Sequence, residues 1–165
     1  MLEKEDIVKG IELTWSGIFN LADLYEGVKG WLDIKGFGDE TKNFLESNYS
    51  EKIQGDTKSL EINWTGERKA DTYFNFLINI SILIVGLKEL EVKQDTKNIS
   101  ANKGEITIRI DGILVKDPDN KMNPIIQKLY EKLIIKNRLE GYREDLYKLV
   151  YALHKTIKEF LTMRI

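Results

Sequence analysis

The chain has 165 residues, of which 25 are Lys or Arg and 27 are Asp or Glu, with one His, no Cys and two Pro. The absence of cysteine excludes disulfides, thiolate metal sites and thiol nucleophiles, and a single histidine excludes any multi-histidine metal centre. With 42% apolar and 32% charged residues, the composition is that of a soluble globular domain able to bury a core without covalent staples. The segment Met1-Leu2-Glu3-Lys4-Glu5-Asp6 is acidic and lacks the apolar stretch of a signal peptide, so a cytoplasmic protein is expected. No run reaches the ~18 consecutive apolar residues of a membrane span. The closest, Tyr73 to Leu87, carries Asn75, Asn79 and Ser81.

No repeat, low-complexity tract or composition break divides residues 1–165, which read as one domain. Ile7, Ile11, Leu13 and Trp15 share one parity and predict a strand over 7–15. Ser16 or Asn20 can cap a helix over 18–34, carrying Ile18, Leu21, Tyr25, Val28 and Leu32 at three- and four-residue steps. Gly36 and Gly38 end it, while Gly27 and Gly30 inside it suggest close packing or a break. From 44 to 116 the period changes to two, and short connections predict an antiparallel sheet with one face on the core. The clearest strand sets Phe74, Phe76, Ile78, Ile80, Ile82 and Ile84 on one parity, with a bulge or turn at Gly86. Gln94 to Gly104 reads as a polar loop, and Ile106, Ile108 and Ile110 resume the alternation. Asn123-Pro124 opens a long helix over 124–164, which Gly141 is expected to kink. The fold class is therefore α+β: five or six antiparallel strands in a curved sheet, a short N-terminal helix, and a long C-terminal helix across the sheet.

The order strand, helix, antiparallel strands and long last helix resembles the helix-grip fold of the START and birch-pollen-allergen superfamily. The resemblance covers nearly the whole chain but rests on element order, with no motif. It implies a sheet wrapped round the last helix, and an interior that holds an apolar small ligand in many relatives. The fold hosts carriers, hydrolases, cyclases and co-chaperones, so it leaves the function open.

Two surfaces follow from the residue pattern. On the inner face, Trp64, Phe74, Phe76, Ile78 and Ile108, opposite Leu146, Leu149 and Leu153 of the last helix, predict a packed core or, alternatively, a cavity for an apolar small molecule or lipid. On the outer parity of the longest strand, Leu77, Leu83, Val85 and Leu87 stand where polar residues are expected. Either they form an apolar patch for self-association or a protein partner, or a bulge near Ile84 swaps the faces.

Charge is uneven: residues 1–120 hold 15 basic and 22 acidic side chains, a net of −7, and residues 121–165 hold 10 and 5, a net of +5. Lys128, Lys132, Lys136, Arg143, Lys148, Lys155 and Lys158 fit the outer side of the last helix, interspersed with Glu131, Glu140, Glu144 and Glu159. With an overall charge of −2, a solvated face is the expectation, and neither nucleic acid nor membrane insertion is expected. Enzyme signals are thin. His154 lacks a partner at motif spacing, Glu67 and Asp71 fit a polar hairpin, and Asp117, Asp119 and Asn120 fit turn chemistry better than a cation loop. Asn-x-Ser/Thr triplets at Asn48, Asn63, Asn79 and Asn98 follow from period-two alternation. The expectation is a non-enzymatic binding or assembly module with no cofactor, the carrier being the alternative. An enzyme using carboxylate acid–base residues ranks third.

Overall fold

Alternating aliphatic side chains bury one face of a strand and wet the other, and here they build an antiparallel sheet with helices on its apolar side. A computed structural model describes residues 3–38, 44–133 and 135–162. In chain order the elements are β1 (Glu3–Phe19), α1 (Leu21–Ile34), β2 (Phe44–Gln54), β3 (Thr57–Lys69), β4 (Phe74–Gln94), β5 (Lys97–Lys116), α2 (Pro124–Leu133) and α3 (Lys136–Thr162). The strands lie in the order β1-β5-β4-β3-β2, each antiparallel to its neighbours. This is a curved five-stranded sheet with a short first helix and a long last helix, the helix-grip arrangement.

Register carries the core across the sheet in rows. Ile62, Ile82, Ile108 and Leu13 stand side by side, as do Trp64, Ile80, Ile110 and Ile11. Onto these rows α3 sets Leu146, Val150, Leu153, Ile157 and Leu161, and α1 sets Leu24, Val28 and Leu32. Each fully buried aliphatic contributes about 1.5–3 kcal/mol relative to its exposed state. Gly112 on β5 lets α3 approach closely, because a Cβ there would lie 2.5 Å from Val150 Cγ2. Gly27 does the same for the two helices, its missing Cβ leaving room for the Phe160 ring. Of the two expectations for Gly27, close packing is the one observed.

Three boundaries differ from the sequence reading. Asn20 caps α1, accepting the Asp23 N–H at 3.0 Å, so the helix starts at Leu21 and β1 continues to Phe19. The expected loop over 94–104 is a hairpin instead. Asp95, in the left-handed region at φ 57°, turns the chain tightly, and residues 97–103 pair with 88–94. The C-terminal helical stretch is two helices, α2 ending at Leu133 and α3 opening at Lys136, and Gly141 lies within α3. Ile135 turns into the core, its N–H donating to the Tyr130 carbonyl at 3.3 Å while its own carbonyl accepts from Leu139 at 2.8 Å. Gly141 faces open space inside α3. No helix among the described residues is long and apolar enough to cross a membrane.

Candidate functional site

The outer-strand patch is half of what the alternation predicts. Leu83 and Val85 are 47% and 51% exposed, but Leu87 is 1% exposed and Leu77 is also buried. The cause of the Leu87 inversion is a bulge: register slips between Val85 and Lys88, and Gly86 takes φ +67°, a conformation open to glycine at little cost. Beyond it the parity reverses, and Leu87 joins the core.

The interior is filled by its own side chains, the packed core of the two sequence expectations and not the alternative ligand cavity. Trp64, Phe74, Phe76, Ile78, Ile108, Leu146 and Leu153 are fully buried in one cluster, and Leu149 packs against it half-buried. Tyr142 stacks at a tilt on Phe74, centroids 5.2 Å apart, and edge-on to Phe76 at 5.9 Å. None of these eight residues lines the cleft that opens elsewhere, beside α1.

That cleft, of about 610 Å³, opens between the first turns of α1 and the sheet. Ile62 is its apolar floor, with Tyr49 beside it on β2, and Leu21, Ala22 and Tyr25 form the helical wall. The far wall is the β4–β5 arm beyond Gly86, which contributes Glu89, Ser100 and Asn102. The walls are tied together by hydrogen bonds. Leu21 N–H donates to Asn102 Oδ1 at 3.0 Å, fixing the start of α1 to β5. Tyr25 Oη donates to Glu46 Oε1 at 2.7 Å, and Trp64 Nε1 donates to the same oxygen at 3.0 Å. Tyr25 also meets Trp64 edge-on at 4.9 Å, and the Lys29 ammonium sits 5.1 Å from the Tyr25 ring centre. Asp23, Glu26 and Glu89 place three carboxylates in the lining, no Lys or Arg is among its described residues, and Lys29 is the nearby cation, against the Tyr25 ring. The arrangement can surround a small molecule and favours one that is neutral or positively charged. A smaller depression of about 320 Å³, lined by Gly17, Gly86 and Gly104 with Lys88 and Lys103, marks the gap left by the bulge.

The other sequence candidates have structural duties. Glu67 Oε1 accepts from Asn75 Nδ2 at 2.9 Å, and Asp71 accepts the Tyr73 and Phe74 N–H groups at 2.7 and 2.8 Å, closing the β3–β4 turn. Asp117 closes the turn before α2, accepting the Lys121 and Met122 N–H groups at 2.9 and 2.8 Å. Burial disfavours its charged form, but its hydrogen bonds, those two among them, more than offset this and hold the carboxyl at about 2. His154 is half-buried on α3, its ring 6.5 Å from that of Tyr151. Asn63 and Asn79 serve cross-strand ladders, accepting from Ser81 Oγ at 2.8 Å and Thr65 Oγ1 at 2.9 Å. Among the described residues no group of three or more His, Cys, Asp or Glu is placed to hold a metal ion. The cleft itself escaped the sequence reading: Tyr49, Glu89 and Asn102 come from three strands, and Glu89 and Asn102 lie on the arm beyond the bulge. Asn20, read from the sequence only as a candidate helix cap, also lines it.

No family model matches the chain, and no curated protein does. Among solved structures it is similar to norcoclaurine synthase from Thalictrum flavum, crystallised with dopamine and hydroxybenzaldehyde. The identity is 12% over 92% of this chain and 88% of that one, with a TM-score of 0.22. So remote a likeness carries no residue, ligand or activity to this chain.

Proposed function

We propose that the protein is a non-enzymatic binding module for a small organic molecule, held in the cleft between α1 and the sheet. The observation that carries this reading is a recess of about 610 Å³ combining an apolar floor, two tyrosines and several convergent polar groups. Protein association through the outer strand has less support, since Leu77 and Leu87 are buried. A ligand with an apolar or aromatic body and a positively charged group suits the lining, because Asp23, Glu26 and Glu89 bring negative charge and Tyr49 brings an exposed aromatic ring.

Benzylamine, benzyl alcohol and benzoate form a matched probe series that differs in charge. Titrated into the 15N-labelled protein, benzylamine should produce saturable amide shifts centred on Leu21 to Glu26, Tyr49 and Asn102, benzyl alcohol weaker ones, and benzoate none. Tyr49→Ala and Glu89→Gln should each weaken benzylamine binding several-fold without altering the thermal midpoint. Shifts that map elsewhere, or no saturation with any probe, would overturn the reading.

A further inference from the structure

Within α2 the apolar and polar sides are exchanged. Gln127 is buried, its Nε2 donating to Asp117 Oδ2 at 3.3 Å, while Glu131 accepts from Tyr73 Oη at 2.9 Å and holds the Lys116 ammonium at 3.4 Å. Ile125, Ile126, Leu129 and Leu133, in contrast, are between 50% and 81% exposed. At 3.6 residues per turn these four form one outward stripe, and the exposed Lys128 and Lys132 run along its flank.

The helix sits at the rim of the sheet where β1 and β4 begin and β3 and β5 end. Tyr73 anchors it there through Glu131, and Arg138 of α3 reaches Asp71 in the same turn at 3.4 Å. Other segments bring exposed lysines to this rim: Lys69 at the end of β3, Lys121 before α2, and Lys136 opening α3. Lys35 follows α1, and its carbonyl accepts from Arg68 Nη1 at 2.8 Å, which places the exposed Ile34 at this end as well. Among the described residues the exposed carboxylates here are Glu3, Asp33, Asp119 and Glu140, of which Asp119 is 3.8 Å from the Lys121 ammonium and Glu140 is paired with Arg143 at 2.9 Å.

Charge and shape together indicate what covers this face. An apolar ridge among cations complements an anionic surface, whereas a second copy would set lysines against lysines. The four aliphatics offer roughly 450 Å² of exposed surface, within the range of the largest apolar patches of monomeric proteins, which often serve association. A projecting ridge needs no matching groove when its counterpart is the deformable boundary between lipid headgroups and acyl chains. We infer that the α2 end docks the protein peripherally on anionic lipid bilayers, the aliphatic stripe entering the acyl boundary and the lysines lying among the headgroups. The helix lies on the membrane and does not cross it.

Vesicle flotation with the full chain tests this, using phosphatidylcholine alone and phosphatidylcholine containing about 30% phosphatidylserine. Binding is expected to the mixed vesicles only, and to fall at least tenfold between about 50 and 500 mM NaCl. Leu129→Asp and the pair Lys128→Glu/Lys132→Glu should each reduce binding at least tenfold with unchanged thermal midpoints, while Leu83→Asp on the outer sheet face should float as the parent does. No binding at low salt, equal binding to both vesicle types, or full binding by both α2 variants would overturn the inference. It would equally be overturned by a dimer that Leu129→Asp dissociates, or by binding to poly-glutamate, if the mixed vesicles bind nothing. The first result assigns the face to a second copy and the second to an acidic protein.

Discussion

Gly112→Ala probes how closely the last helix is seated on the sheet. The added Cβ would lie 2.5 Å from Val150 Cγ2 and 3.5 Å from Leu146 Cγ, where ordinary carbon contacts are ~3.5–4.0 Å. Either α3 withdraws by about 1 Å or Val150 changes rotamer, and a β-branched residue in a helix has one strongly preferred χ1. Both Val150 and Leu146 are fully buried, so neither has free space to move into. Overpacking costs about 1–3 kcal/mol, the upper half of that range for an approach of 2.5 Å, and removing a strand glycine returns ~0.5–1 kcal/mol, leaving a net loss of about 1–2 kcal/mol. For a chain of this length that lowers the thermal midpoint by roughly 2–8 °C. Val150→Ala alone should cost about 2 kcal/mol through lost burial and a cavity. In the double variant the new methyl occupies part of that cavity, so Gly112→Ala/Val150→Ala should be no less stable than Val150→Ala. Urea unfolding followed by the fluorescence of Trp15, Trp31 and Trp64 measures the three differences at constant m. Costs that simply add, with no coupling near 1–2 kcal/mol, would refute the close seating of α3 at Gly112.

Leu87→Asp should destabilise the fold by on the order of 3–5 kcal/mol, and Leu83→Asp by less than ~1 kcal/mol, because the bulge at Gly86 turns only the former inward. Equal effects in chemical denaturation would show that the strand keeps one parity throughout. Asp117, at about 2 in the folded chain against an ordinary 3.8, favours the fold in its ionised form above the unfolded value and loses that contribution as pH falls from 3.8 towards 2. Asp117→Asn, which tolerates the left-handed backbone at 117, should therefore be less stable at pH 7 and show a shallower fall of thermal midpoint across this acid window. Gly141→Ala should stabilise α3 by ~0.5–1 kcal/mol, since its Cβ meets nothing, whereas Gly27→Ala should destabilise by forcing the Phe160 ring aside. Opposite signs in differential scanning calorimetry are the expected result.

The long strand is legible in the sequence because both of its faces are committed. Six even-numbered side chains from Phe74 to Ile84 enter the core, and Asn75, Asn79 and Ser81 face out. The pattern fails where neither face is fully covered. In the arm beyond Gly86, residues 97–103 bury only Ala101, so their polarity imitates a loop although every residue from 97 to 103 is paired. The cleft is hidden for the same reason. Its residues come from α1, β2, β3 and the arm, and most have the composition of ordinary surface, so no period singles them out.

Helical periodicity misplaces α2 for a different reason, a contest between local pattern and distant partners. By spacing alone Ile126, Leu129 and Leu133 belong inside, yet Asp117 and Tyr73, one before the helix and one at the head of β4, hold Gln127 and Glu131 against the protein. Turning α2 over would solvate Gln127 and Glu131 but take these partners from the buried Asp117, Lys116 and Tyr73, which costs more than exposing aliphatic side chains at the surface. The polar pairing therefore wins, and the aliphatics are turned to solvent. The break at Ile135 then divides the positive charge of the last 45 residues. Lys148, Lys155 and Lys158 stay along α3, where Lys148 pairs with Glu144 at 2.9 Å, while Lys128, Lys132 and Lys136 gather at the sheet rim. Among the described residues, the rim group is the one that stands beside uncovered aliphatics. Read as one long helix, the lysines are a solvated face; read with the break and the inverted helix, the rim group frames an apolar ridge, and the same residues gain a reason to meet an anionic surface.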